Sequence, residues 1–328
     1  MEISRVAWSD RDGVRRFAAV KEAVRAADEP WSHPIIASQT AGHLRHGWDG
    51  DPAAHYLVTA AGVDVATADY ETSSYDNQHL AWLGVDVHPD HRRRGHGDAV
   101  LAFLLDRARD EGRTSVGGNS WDAAAPRAWA PRHGFETKAV EVNRRQHLAR
   151  VDRDLLDRLH EDALAHAADY EVVRRSGASP AEELPALAEM TAAINDAPTD
   201  DLDIEDEVFP PERVAAYEAA QLGKGDRLLR VYARHRATGE LAGQTVVVVE
   251  GLRPHLAHQH DTSVVRAHRG HRLGVLLKTE MLRWLAEEQP QVESIDTWNA
   301  ESNDHMIGVN RALGYEVIGR ALAWQRAL

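Results

Sequence analysis

HPDHRRRGHGDAVLAFLLDRARDEG, residues 88–112, sets three arginines beside two glycines and follows them at once with an apolar-patterned stretch. Val100, Phe103, Leu104 and Ala108 recur at helical spacing, Leu101 and Leu105 widen the stripe, and Gly112 ends it. The segment before it, LAWLGVDV (80–87), reads as a strand. A strand that enters a helix through a glycine-bearing turn leaves the first helical N–H groups without intrahelical partners. With the helix dipole behind them, these groups form an anion site suited to phosphate. Gly95 and Gly97 let a ligand approach the backbone closely, and Arg92, Arg93 and Arg94 add charge. A Walker loop is absent, and the dinucleotide fingerprint needs a third glycine where Val100 stands. A basic helix start with a chance pair of glycines is the plainer alternative.

The rest of the chain argues against chance, because the order of elements occurs twice. HYLVTAAG (55–62), VDVATADY (63–70) and residues 80–87 read as successive strands after a helical stretch at 17–27. TSVGGNSW (114–121), a short helix ending at Gly134 and a strand over 135–144 follow the glycine–arginine corner. Beyond a charged, helical connector (152–168) come a strand at EVVRRSG, a helix at LPALAEMTAAIN and strands at LLRVYARH, LAGQTVVVVEG and HDTSVV. HRGHRLG, a helix through Leu285, the strand SIDTWN and a short helix ending at LGY complete the second set. HRGHRLG (268–274) stands 177 residues after HRRRGHG (91–97), and Gly314 stands 180 after Gly134. A repeat this long means duplicated domains, not a solenoid. We expect a mixed α/β fold and two domains, 1–164 and 165–328.

Composition narrows the function classes. Thirty-eight Lys and Arg against 52 Asp and Glu give a net charge of −14, which disfavours nucleic-acid binding. There is no cysteine, which removes disulfides, thiolate metal sites and cysteine nucleophiles. No apolar run is long enough to span a bilayer and the start lacks a signal-peptide core, so we expect a cytoplasmic protein with no membrane partner.

Both halves resemble the Gcn5-related N-acetyltransferase (GNAT) family, whose signature is [QR]-x-x-G-x-[GA]. The resemblance implies two tandem acyl-CoA N-acyltransferase domains with mixed, mostly antiparallel sheets. It also implies acetyl-CoA as cosubstrate, with its pyrophosphate on the backbone amides of this loop. Carried over, the first loop is Arg92, Arg93, Arg94, Gly95, His96, Gly97 and Asp98, after a strand whose Val85 and Val87 flank the pantetheine. The second is Arg269, Gly270, His271, Arg272, Leu273 and Gly274, after Val264. Arg272 stands where the family has its first signature glycine; with ordinary negative φ there, the loop would rely on Gly270 for flexibility. By this comparison the first half has the better phosphate loop.

The family's asparagine at the start of the following short helix is matched by Asn303, but Asn310 stands in the slot of its tyrosine acid seven residues later. In the first half those slots hold Ala123 and Ala130. The family's usual base, eleven residues before the signature, falls on Ala81 in the first half and on His258 in the second. Imidazole titrates in the useful range. Asp261 is the second candidate, but its strand parity is opposite, so it needs a bulge to face the acceptor. A surface histidine is the bland reading of His258 in a chain with 19 of them.

His255, His258, His260, His268 and His271 invite a metal reading, yet no metal motif supports it and we expect none. The acidic stretch 194–213, with Asp196, Asp200, Asp201, Asp203, Glu205, Asp206 and Glu207, is either a solvated loop or a surface for a cationic amine. We expect acetyl transfer to the primary amine of a small cationic molecule, centred in the second half, by a monomeric pseudo-dimer or a homodimer. Two alternatives stand: a catalytic first half with a degenerate second, or a non-catalytic acyl-CoA-binding sensor or scaffold.

Overall fold

Where buried residues alternate with exposed ones the chain forms strands, and where they recur every three to four positions it forms helices. The structure, a computed structural model, describes residues 1–328. In chain order the elements begin with β1 (Glu2–Arg5), α1 (Arg11–Asp28), α2 (Ala37–His46), β2 (Ala54–Ala60), β3 (Val63–Glu71) and β4 (Leu80–Val87). They continue with α3 (His96–Asp110), β5 (Ser115–Trp121), α4 (Ala124–Trp129), β6 (Glu136–His147) and α5 (Arg153–His166). The second set is β7 (Tyr170–Ser176), α6 (Leu184–Thr191), α7 (Pro211–Gly223), β8 (Arg227–His235), β9 (Leu241–Val249) and β10 (Leu256–Val264). It ends with α8 (Leu273–Glu288), β11 (Ser294–Ala300), α9 (Asp304–Ala312) and β12 (Tyr315–Ala327).

These elements form two units, each a mixed α/β fold. The first comprises Met1–Val140, Thr199–Asp206 and Arg320–Leu328; the second comprises Glu141–Pro198 and Glu207–Gly319. A cut at residue 165 therefore does not separate them. Each unit takes the C-terminal part of the last strand of the other half of the sequence, residues 320–327 of β12 in the first and 141–147 of β6 in the second. In the first, the sheet order is β1-β2-β3-β4-β5-β12, and β12 lies antiparallel to β5 from Ala321 opposite Trp121 to Ala327 opposite Ser115. In the second the order is β6-β11-β10-β9-β8-β7, with β6 antiparallel to β11 from Glu141 opposite Ala300 to His147 opposite Ser294. Such a swap is invisible to local pattern, because either strand completes a sheet of the same shape.

Within each sheet only one neighbouring pair is parallel, β4 with β5 and β10 with β11. The core of the first unit lies between its sheet and α3, around Val58, Ala66, Ala81, Leu101 and Leu104, and it takes in Leu322 and Trp324 from β12. The core of the second lies between its sheet and α5, α8 and α9, around Val247, Ala257, Leu276, Leu277, Ile295 and Tyr315. On the opposite face, α7 brings Tyr217 against Leu228, Val246 and Val248. No helix is long and apolar enough to cross a membrane.

The exchange makes a prediction about the chain's end. Deleting residues 320–328 removes the buried Leu322 and Trp324 and bares an edge of β5. At about 1.5–3 kcal/mol for each buried side chain, the loss is comparable with the whole stability of a domain. The truncated chain is expected to aggregate or to unfold at a markedly lower urea midpoint, as followed by circular dichroism.

Candidate acyl-carrier and acceptor site

The two glycine–arginine corners have the same backbone. In the first, Arg93 and Gly95 both lie in the left-handed region, with φ of 61° and 81°; in the second, Gly270 and Arg272 do, at 89° and 55°. Each corner thus uses one glycine and one arginine, in opposite order. Arg272 therefore does not keep ordinary negative φ. It accepts a strain of roughly 1–2 kcal/mol for a residue bearing a Cβ, and in doing so preserves the turn. Neither helix start is capped by a side chain. The first intrahelical bonds run from Ala99 N to Gly95 O (3.1 Å) and from Leu276 N to Arg272 O (3.0 Å). The amides of His96, Gly97 and Asp98, and those of Leu273, Gly274 and Val275, therefore have no helical acceptor.

The signature arginines are struts of these turns. Arg92 Nε donates to Val87 O (3.0 Å) and its guanidinium pairs with Asp28 at the end of α1 (2.8 and 2.6 Å). Arg269 repeats this, donating from Nε to Val264 O (3.1 Å) and pairing with Asp196 (2.5 Å), which also holds Arg266. Arg94 is engaged with Asp90 O (2.9 Å), so Arg93, exposed at the tip, is the cation of the first corner best placed for an anion. His271 packs its ring against Tyr170 at 5.4 Å. One difference favours the second corner for an anion. Asp98 places a carboxylate in the first turn of α3, held ionised by hydrogen bonds from Trp129 Nε1 (2.7 Å) and His133 (3.0 Å), while the first turn of α8 has no acid.

Beside each corner the parallel strands part. β4 pairs with β5 only over Leu80, Ala81 and Trp82, and β10 with β11 only over Leu256, Ala257 and His258. β5 and β11 meanwhile stay paired on their other side for seven residues each. Val85 and Val87 lie on the parted stretch of β4, and Val264 on that of β10. The two apices are furnished differently. In the first unit a Cβ on Gly117 would come within 2.7 Å of the Trp82 ring, so the indole lies across the apex. In the second, His258 occupies that place, opposite Asp296.

Counting back from the signature misplaces the base slot in the first unit. β10 has a bulge where its register with β9 shifts between Gln259 and Thr262, so His260 and Asp261 share the single partner Val246. β4 pairs with β3 without interruption. The counterpart of His258 is therefore Trp82, not Ala81, and Ala81 is buried in the core against α3. The bulge also removes the parity objection to Asp261, which joins His258 and His260 on the face covered by α7.

On that face the titratable groups are set apart by their surroundings. His258 Nε2 sits 2.7 Å from Glu250, which also holds Arg253 at 2.6 and 3.0 Å. Burial works to raise the Glu250 carboxyl, but the hydrogen bonds from His258 and Arg253 outweigh it and bring it down to about 2. His260 is brought down to about 3 by burial, with His258 and Lys224 adding repulsion, and its Nδ1 lies 2.6 Å from the Tyr217 hydroxyl. A neutral imidazole there accepts from the phenol, which burial holds protonated. The Asp261 carboxyl forms no hydrogen bond or ion pair within the protein, and burial raises it against the pull of Arg230. A raised, unengaged carboxylate is a serviceable proton acceptor.

Other sequence candidates take structural posts. Asn303 caps α9, its side chain accepting from Met306 N at 3.1 Å. Asn310 is fully buried and donates from Nδ2 to Asn299 Oδ1 (2.7 Å). The acidic stretch is not one acceptor surface: Asp196 is held by the loop arginines, whereas 199–206 belongs to the first unit, where Glu205 meets Asn77 and Asp203 meets Gln325. No group of three or more His, Asp or Glu side chains is placed to hold a metal ion. Sequence reading missed Tyr217 and Glu250. The first could have been found from PERVAAYEAAQLG, which opens with Pro at the first helical position and runs without a breaker.

Residues 18–135 match the family model described as the acetyltransferase (GNAT) family. A mycothiol acetyltransferase from Stackebrandtia nassauensis is 33% identical over 155 residues, 46% of this chain and 49% of that protein. Another, from a Parafrankia species, is 28% identical over 149 residues, 44% of each. The chain thus spans about half the length of the curated relatives it matches. A tandem GNAT protein from the clavulanic acid biosynthesis pathway matches 99% of this chain and 98% of its own, with TM-score 0.80 and 27% identity. A GCN5-related N-acetyltransferase from Sphaerobacter thermophilus, at 15% identity and TM-score 0.68 over 99% and 95% of the two chains, shows the same fold.

The depressed Glu250 carboxyl carries a pH dependence. Because its folded value lies below the ordinary one, its stabilisation is present above about pH 4.5 and is lost as the pH falls towards 2. Glu250→Gln is expected to lower the urea midpoint clearly at pH 7, with the gap from wild type narrowing steadily below pH 4.5. Paired denaturation series across that range measure it.

Proposed function

We propose that this chain, which carries a GNAT domain over residues 18–135 and the tandem GNAT fold throughout, is an acetyltransferase. It moves the acetyl group of acetyl-CoA to the primary amine of a small cationic acceptor, with the chemistry in the second unit. The bulge in β10 carries the reading. It sets Asp261 beside His258 and His260 on the α7 face, whereas the unbulged β4 of the first unit puts an indole at the apex. The relatives named for acetyl transfer support the donor half of the reaction.

In this reading the pyrophosphate rests on the amides of Leu273, Gly274 and Val275. From Val264 to Gln259 the parted strand covers roughly 17 Å at 3.3 Å per residue, which suits an extended pantetheine arm. That span ends with the thioester at the apex, beside His258 and Gln259. Asp261 takes the proton of the attacking amine, and the paired His258 and Glu250 steady the floor. Asp261, when ionised, offers a cationic acceptor a carboxylate on this face that no hydrogen bond or ion pair of the protein already holds. On the equivalent face of the first unit Asp69 and Asp86 are already neutralised, because Lys21 bridges them (2.5 and 2.6 Å) and His55 holds Asp69 (2.7 Å). This supports a role for the first unit in binding and architecture.

Thiol release from acetyl-CoA with a panel of small amines tests the assignment. Asp261→Asn is expected to lower kcat by about 10²–10³ with little change in KM for acetyl-CoA, and His258→Ala by roughly tenfold. In wild type, kcat/KM should rise with pH through a limb above the ordinary carboxylate range, and Asp261→Asn should remove it. Wild-type turnover in Asp261→Asn, with turnover abolished by alanine at Gly95 and Gly97, would assign the chemistry to the first unit instead.

A further inference from the structure

Duplication supplies an internal control for every buried position of the second unit. Behind the apex of β10 and β11, on the α8 side, the control fails in one concerted way. Lys278 on α8 corresponds to Leu101 on α3, since Arg269 and Arg272 open their turn as Arg92 and Gly95 do, 177 residues earlier. Before the bulge Gln259 corresponds to Leu83, because Leu256 and Leu80 start the two parallel pairings. After it Thr262 and its partner Thr245 correspond to Val85 and Ala68. Tyr315, following Gly314, corresponds to Phe135, following Gly134. A pocket of hydrocarbon in one unit is a polar set in the other.

The polar set is connected. Lys278 Nζ lies 3.4 Å from Gln259 Oε1 and 5.1 Å from the centre of the Tyr315 ring. Gln259 Nε2 donates to Thr245 Oγ1 (3.0 Å) and Val246 O (2.6 Å), and Thr245 meets Thr262 at 2.7 Å. Lys278 is as buried as Leu101, at 3% against 2% exposed. No carboxylate pairs with it. Tyr315 faces it from β12 and Gln259 from β10, while His160 of α5 meets the neighbouring Thr279 and Glu280. An amine in such surroundings costs stability that leucine does not, and burial brings it down to about 7. Gln259 is the first residue beyond the last β10–β11 pair, so the amine stands one hydrogen bond from the apex.

We propose that Lys278 is the acid that receives the departing CoA thiolate, in place of the tyrosine that both halves lack. The inference rests on the reading of the second unit given above. The acceptor nitrogen forms its bond to the acetyl carbon, the carbon–sulfur bond breaks and its electron pair goes to sulfur. One N–H bond of the Lys278 ammonium then gives its proton to that sulfur, the acceptor's proton goes to Asp261, and solvent exchange restores both groups.

Lys278→Leu copies the residue of the sister unit, so it should leave the melting temperature unchanged or raise it. Expected with it is a fall in kcat of about 10²–10³, with acetyl-CoA affinity by calorimetry within about twofold of wild type. An acid must be protonated to act. Wild-type kcat/KM should therefore decline above about pH 7 as Lys278 loses its proton, and the variant should lack that limb. Ultraviolet titration of the thiol in bound CoA gives a readout independent of any acceptor: wild type should stabilise the thiolate and Lys278→Leu should not. Unchanged kcat, alkaline limb and thiol titration in Lys278→Leu would overturn the proposal and leave the functional reading intact. If wild type binds CoA but acetylates no amine, the functional reading falls, and the titration alone decides for or against Lys278. A chain that binds no coenzyme overturns both.

Discussion

Parallel pairing that stops after three residues is the constraint on which the rest depends. β10 leaves β11 after His258, while β9 continues to hold its other edge and β6 holds the far edge of β11. Two strands can part only if each is secured elsewhere, because backbone N–H and C=O groups need partners. The turn after β10 is secured as well: Arg269 ties the last strand carbonyl to Asp196, and Arg272 takes up a strained φ to start α8. Parted strands, free helical amides and a bulge facing α7 thus form one arrangement, and no one of them would make a site alone.

The same backbone appears in the first unit with different side chains. Its corner has matching left-handed positions and a matching arginine strut, and its strands part after the same number of residues. What differs is side chains: Trp82 across Gly117, a closed set of Lys21, Asp69, Asp86 and His55, and hydrocarbon under α3. Selection on stability alone would favour that hydrocarbon in both units, since a buried amine with no carboxylate partner and a buried glutamine each carry a desolvation cost. The second unit keeps the costlier set beside its apex, where a charge would act on a reacting group. Strain and polar burial tend to persist where they serve a function.

Much of this was legible in the chain. The corner, the strand before it and the amphipathic helix after it could be read from glycines and periodicity, and the second corner from the repeat. The strand exchange could not be read, because β6 and β12 carry equivalent patterns and only non-local pairing decides which sheet each joins. The bulge left a trace that went unused. Leu80 and Leu256 are 176 residues apart whereas Val87 and Val264 are 177 apart, so one residue is inserted between them. Counting at fixed spacing ignored it and placed Ala81 opposite His258. Helix α7 was hidden by the acidic, proline-bearing run before it, and with it Tyr217.

The exchange also gives the first half of the sequence a share in the second unit's site. Residues 141–147 form the strand beside β11, and Arg145 holds Asp296 through two bonds, at 2.6 and 2.7 Å. Asp296 is the residue opposite His258 at the apex. It is nine-tenths buried, so removing Arg145 would take a countercharge from a buried carboxylate opposite His258. A catalytic second half freed of the first would therefore lose a strand and a countercharge at the place where its strands part. The strand that follows the first unit thus completes the second unit's sheet and sets the charge at its apex.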